Sequence, residues 1–208
     1  MSTETQMPNL GDQYQCPRGR RGRLVATMMN QHHEPLTLWG LAKLTIRSDS
    51  VILDVGCGGG KTVNKLAQLA PQGKVYGIDY SVEMVKFSKK INKTLIAQNR
   101  TEIIEESVEK TDFKNDFFDL VTAIETYYFW SNLLAAFKEI HRVLKPDGKL
   151  LLVNELLYEV TPTKIIEETH VKLFSLKEIQ DLLRLTGFVD AQVFTETESP
   201  WNAIIAKK

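Results

Sequence analysis

Two acids and a run of glycines are the first residues in this chain whose types and spacing suggest chemistry. Asp54-Val55-Gly56-Cys57-Gly58-Gly59-Gly60 ends a short apolar run, and Asp79 closes the next one. Glycines between a strand and a helix permit positive φ and let the backbone approach a ligand closely. An acid ending the neighbouring strand can accept hydrogen bonds from both hydroxyls of a ribose. Together they point to an adenosine-containing ligand; the bland reading is a tight turn plus a surface aspartate. A dinucleotide would need a further glycine where Lys61 stands, and its pyrophosphate would be repelled by Asp54. A ligand carrying an ammonium or sulfonium, such as S-adenosylmethionine, would be held by that carboxylate instead.

A second group follows the apolar run Phe118 to Ile124: Glu125, Thr126, Tyr127, Tyr128 and Trp130. Open α/β sheets bind ligands beyond the carboxyl ends of their strands. Glu125 is therefore the first candidate to touch a reacting group, with Tyr128 beside it, while Phe129 is expected to pack as an aromatic plug. His33, next to His32 and ahead of Pro35, is a candidate base or orienter, with a structural histidine as the plain alternative. His141 and His170 read as structural or solvated. The two cysteines, Cys16 and Cys57, make neither a disulfide framework nor a metal-ligand pair, and no metal is expected.

The elements that must position these groups follow from periodicity. From residue 51 onward, β-branched or Leu-rich runs alternate with segments of helical period, the pattern of βαβ units. Strands are predicted at Val51 to Val55, Lys74 to Ile78, Thr101 to Glu105, Phe118 to Ile124 and Lys149 to Asn154. Helices run from Lys61 to Ala70, from a Ser81 cap with the stripe Met84, Phe87, Ile91 and Leu95, and along Leu133, Phe137, Ile140 and Leu144. Ser175 and Glu178 form a capping box for a last helix that Gly187 stops. Phe188 to Phe194 and Trp201 to Ala206 leave too little chain between them for a parallel crossover, so they must pair antiparallel. The fold class is α/β: a doubly wound, Rossmann-like sheet, mostly parallel, with a C-terminal antiparallel strand. Residues 1–50 form an N-terminal arm and helical lid, residues 51–208 the ligand-binding domain, and residues 156–174 a second cap.

Composition sets the remaining bounds. The 208 residues fit one domain, and 43% hydrophobic with 25% charged residues describes an ordinary globular protein. Lys plus Arg and Asp plus Glu total 26 each, so no global field draws nucleic acid or an acidic membrane. The local exception, Arg18-Gly19-Arg20-Arg21-Gly22-Arg23, is either a solvated segment or an arm that folds over an anionic group. No signal peptide or membrane-spanning run is read, and a cytoplasmic location is the default. The sequence leaves a homodimer open.

With these residues in view, the chain resembles the class I S-adenosylmethionine-dependent methyltransferases, and within them the small-molecule branch that includes the quinone C-methyltransferases. VILDVGCGGG is similar to the family's first motif and VYGIDYS to its second-strand motif; FFDLVTAIE and LKPDGKLLLVNE resemble its fourth and fifth strands. The resemblance assigns Asp54, Gly56 and Gly58 to the methionine part of the donor and Asp79 to the ribose. It places Tyr80 and Met84 beside the adenine, with Ile124 also in the donor site. Ser107 stands where relatives carry an aspartate that accepts from the adenine amino group, and the Val108 backbone N–H would meet a ring nitrogen. The segment after the fourth strand, Ile124-Glu125-Thr126-Tyr127, lacks the Pro-Pro pair of amino-methylating nucleic-acid enzymes. Two cysteines are too few for an arsenic methyltransferase. The implied activity is methyl transfer from S-adenosylmethionine to a small-molecule acceptor. The alternatives are a non-catalytic S-adenosylmethionine-binding subunit and a nicotinamide-dependent oxidoreductase.

Overall fold

The structure, a computed structural model, describes residues 28, 31–155 and 171–208. The arginine cluster at residues 18–23, Cys16, His170 and most of the expected second cap lie outside the described residues. In chain order the elements are α1 (Glu34–Leu41), β1 (Val51–Val55), α2 (Lys61–Leu69), β2 (Lys74–Asp79), α3 (Val82–Ile91) and α4 (Lys93–Ala97). There follow β3 (Thr101–Glu105), β4 (Phe118–Ile124), a single 3-10 turn (Tyr127–Phe129), α5 (Leu133–Val143), β5 (Leu144–Asn154), α6 (Leu176–Leu185), β6 (Val189–Thr195) and β7 (Asn202–Lys207).

Seven strands form one sheet in the order β3-β2-β1-β4-β5-β7-β6. The strands from β3 across to β5 are mutually parallel, and β7 runs antiparallel to both of its neighbours. The hairpin expected from the short β6–β7 connection is present, with β7 inserted between β5 and β6. The strand order reverses between β1 and β4, which places the crevice of a doubly wound sheet at their carboxyl ends.

Successive strand residues face opposite ways, so two apolar layers form. Ile52, Leu120 and Leu151 join α1 and α2 through Leu36, Val63 and Leu66 on one face. Leu53, Val121, Leu150 and Leu152 meet Phe137, Ile140 and Leu183 of α5 and α6 on the other. A strand buried on both faces reads as a near-continuous apolar run, as Leu150 to Val153 of β5 do. Ser175 and Glu178 make the expected reciprocal cap at the start of α6. Among the described residues no helix is long and apolar enough to cross a membrane.

One expectation is corrected. The stripe Met84, Phe87, Ile91 and Leu95 does not face the core as a unit. Met84, Val85 and Ser88 are the buried residues of α3, Ile91 is 39% exposed, and Leu95 falls on the separate helix α4. The polar residues Ser88 and Asn92 take the inward positions because they pack on the glycine loop, which leaves no room for larger apolar groups. Helix α1 is held to the rest of the molecule by apolar and polar contacts. Leu36 and Leu41 of α1 belong to the core, a Cβ on Gly40 would lie 2.4 Å from Val153 Cγ2, and the Trp39 indole donates to Glu196 Oε2 at 2.6 Å.

Candidate active site

The loop after β1 is shaped by three neighbours. Cys57 N donates to Ile78 O at 3.0 Å, tying the loop to β2. Gly58 N donates to Asp79 Oδ2 at 2.9 Å, and Ser81 N donates to Asp79 Oδ1 at 2.8 Å. Asn92 Nδ2 donates to Gly60 O at 3.0 Å from the end of α3. Gly60 caps α2 in the left-handed region at φ 80°, where a Cβ would lie 2.1 Å from Ser88 Oγ. Gly58, also at positive φ, faces open space: its nearest neighbour would be Gly56 O at 3.9 Å. One glycine is therefore required by packing, and the other leaves backbone accessible to a ligand.

A cavity of about 760 Å³ runs from this loop across the ends of β1, β2 and β4, within the range of small-molecule sites. Gly56, Gly58 and Asp79 line it near the loop; Tyr80, Met84, Ser107 and Val108 line it toward β3. Ile124, Glu125, Thr126, Phe129, Trp130 and His33 line the other end. Ten of the twelve residues predicted for the site thus meet at one cavity. The other two, Asp54 and Tyr128, stand one layer behind it.

Asp54 is buried and accepts from Thr122 Oγ1 at 2.7 Å through Oδ1. Its Oδ2 has no hydrogen-bond partner among the described residues. Burial pushes its pKa up to about 7, against which the Thr122 bond works; the nearby Asp79 carboxylate adds to the rise. Burial also raises Asp79, opposed by its two backbone amides. Asp79 lines the cavity, where a hydroxyl pair would relieve it.

Glu125 follows β4 with φ 56°, outside the ordinary range of a non-glycine residue. Its own N–H donates to Val153 O at 2.9 Å. Tyr128 OH donates to its Oε2 at 2.6 Å, and Glu155 N donates to its Oε1 at 2.6 Å. Desolvation pushes the carboxyl up to about 8, with the Glu155 charge adding to the rise and the Tyr128 bond opposing it. His33 Nε2 lies 3.8 Å from Glu125 Oε2, and burial together with His32 pulls its pKa down to about 4. Both shifts disfavour charge separation across this contact. Tyr128 is raised by burial and by Glu125.

The aromatic cluster is arranged the other way round from expectation. Tyr127 and Tyr128 are the buried plug, while Phe129 and Trp130 border the cavity. Tyr128 reaches the site only through Glu125. Sequence reasoning assigned no role to Thr122, Ser88, Asn92 or Glu155. Thr122 was hidden as a β-branched residue inside an apolar strand. Glu155 carried a usable signal, since it follows β5 as Glu125 follows β4 and as Asp79 ends β2.

Comparison with known proteins agrees with this fold. Residues 53–152 match the family described as a methyltransferase domain. The chain is 24% identical over 184 residues to the uncharacterised methyltransferase YdaC of Bacillus subtilis, covering 88% of this chain and 96% of YdaC. It is 29% identical over 133 residues to a demethylmenaquinone methyltransferase of Lactobacillus johnsonii, covering 64% of this chain and 54% of that one. In fold it matches a chain from the complex between the Haloferax volcanii Trm112 methyltransferase activator and a methyltransferase, with a TM-score of 0.83 at 18% identity, over 97% of this chain and 99% of that one. The matched region and the fold are similar to those of the S-adenosylmethionine-dependent methyltransferases.

The residues present fit that donor. Space is open beside Gly58, each Asp79 oxygen keeps a second lone pair for a hydroxyl, and just behind the cavity the buried Asp54 Oδ2 has no partner among the described residues.

Proposed function

We propose that the protein transfers a methyl group from S-adenosylmethionine to a small organic acceptor held at the His33–Glu125 end of the cavity. The observation that carries this reading is the continuity of one cavity from the Gly58–Asp79 loop to Glu125, His33, Phe129 and Trp130. When bound, the donor supplies an electrophilic methyl on sulfur.

The chain's own contribution divides along that cavity. Asp79 and the loop hold the donor's sugar end, and Tyr80, Met84, Ser107 and Val108 border its base. Phe129, Trp130 and Leu38 provide apolar wall at the acceptor end and restrict water there. In-line displacement depends heavily on alignment, so fixed walls do much of the work. Glu125, held by Tyr128 OH and the Glu155 amide, presents a carboxyl whose orientation is set from two sides. It and His33 are the groups that would hold or receive an acceptor proton at the carboxyl oxygen or at Nε2.

The test is turnover with labelled donor on three acceptor sets: small quinols, phenols and amines; folded proteins; and RNA. Methylation confined to the small-molecule set supports the reading. Methylation only of protein or RNA overturns it.

A further inference from the structure

At the acceptor end, His32, His33 and Glu155 bring one ligand atom each to within 4.8 Å of one another. His32 Nε2 lies 3.3 Å from Glu155 Oε1. The two imidazoles meet edge to face, with ring centroids 5.4 Å apart. Glu155 is fixed in place by its backbone N–H on Glu125 Oε1, and His33 Nε2 is 3.8 Å from Glu125 Oε2. Two imidazoles and two carboxyl groups therefore converge on one spot, and among the described residues no lysine or arginine pairs with either carboxyl.

We infer that His32, His33 and Glu155 form a binding site for a divalent transition-metal cation of the Zn²⁺ or Co²⁺ kind. Two imidazole nitrogens and one carboxylate oxygen select such ions over Mg²⁺ and Ca²⁺, which prefer all-oxygen sets. In a tetrahedral site with bonds of about 2.0–2.1 Å, ligand atoms sit roughly 3.4 Å apart. The His32–Glu155 pair already has that spacing. The remaining edges need closure of about an ångström or somewhat more, which the largely exposed His32 and the partly exposed Glu155 can supply by rotamer adjustment. Three protein ligands leave a fourth position open. His33 lines the cavity, so that position lies beside the acceptor, where a bound cation would orient an acceptor oxygen. Binding of the cation does not depend on the methyl-transfer reading; only its proposed role does.

The experiment uses full-length protein with any affinity tag removed, in the absence of donor and acceptor. Co²⁺, Zn²⁺ and Mg²⁺ are titrated by calorimetry, and Co²⁺ also by its visible absorption. One equivalent of Co²⁺ or Zn²⁺ should bind, with a spectrum of low coordination number, and Mg²⁺ should not compete. His32→Ala, on an exposed side chain, and Glu155→Gln should each weaken Co²⁺ binding about tenfold or more, with circular dichroism unchanged. His141→Ala, at the opposite side against Phe188, should bind as wild type does. Absence of saturable binding, equal competition by Mg²⁺, or wild-type affinity in folded His32→Ala and Glu155→Gln would each overturn the site. None of those results touches donor binding, which a separate titration with S-adenosylhomocysteine reports.

Discussion

Asp79 on β2 accepts the Gly58 N–H at 2.9 Å, so the acid proposed to hold the donor's ribose also fixes the loop proposed to hold its methionine end. The same carboxylate takes Ser81 N–H with its other oxygen. Asp79→Asn places an amide donor against one of these N–H groups. We expect donor affinity to fall by about 10- to 100-fold, corresponding to roughly 1.5–3 kcal/mol for a lost charged acceptor. The melting temperature should fall as well, because one backbone amide loses its partner. Calorimetry with S-adenosylhomocysteine and a thermal melt check both effects; unchanged affinity in the folded variant would place the ribose elsewhere.

The glycines of the loop separate folding from binding. Gly58→Ala adds a Cβ with nothing nearer than 3.9 Å, so its folding cost is the left-handed backbone alone, about 1–2 kcal/mol. Donor binding should nevertheless be largely lost, since the methyl occupies space bordering the cavity. Gly60→Ala sets a Cβ 2.1 Å from Ser88 Oγ and 2.6 Å from Asn92 Nδ2, so it should destabilise by several kcal/mol. Denaturant melts and donor titrations on the two variants should therefore rank them in opposite orders.

The glycine loop was legible in the sequence because only close backbone approach explains four glycines in five positions between a buried strand and a helix. The β6–β7 pairing was legible from chain length. The inward face of α3 was not, because periodicity counts apolar residues, whereas Asn92 is buried for its hydrogen bonds and Ser88 for its small size against Gly60. Nor was the Tyr128–Glu125 contact, which depends on the 3-10 turn at Tyr127–Phe129 and on the positive φ of Glu125. Local sequence carries no mark of either. Glu155 lies 30 residues from Glu125, and only the β4–β5 register brings them together.

Asp54 should set part of the pH dependence of stability. Its carboxyl is pushed up to about 7 in the fold, against an ordinary value of 3.8. Between those values the native state holds a proton that the unfolded chain has released. Stability from this residue is therefore fully present below about pH 4, is lost as pH rises toward 7, and changes little above. Asp54→Asn removes the ionisation and keeps an acceptor for the Thr122 hydroxyl. Relative to wild type, it should gain stability on the order of a few kcal/mol between pH 4 and pH 8. Urea denaturation of both proteins across that interval checks it. A difference that stays flat with pH means Asp54 is ionised when folded.

Glu125 is where the proposed chemistry can fail cleanly. Its carboxyl is buried and its backbone sits at φ 56°, an arrangement that costs stability and persists only because the surroundings fix it. Tyr128 OH and Glu155 N–H supply that support. Glu125→Gln keeps the shape and one acceptor while removing the ionisable proton, so folding should survive with a loss of about 1–2 kcal/mol from the mismatched amide. If the carboxyl receives a proton from the acceptor, turnover should fall by about 10²-fold or more, with donor affinity nearly unchanged. Tyr128→Phe removes only a support and should lower turnover less, by about tenfold, with no change in donor affinity. If Glu125 instead faces the donor's cation, affinity falls and single-turnover rates at saturating donor recover. A Glu125→Gln enzyme equal to wild type in turnover and affinity would confine the residue to holding the β4 and β5 ends together.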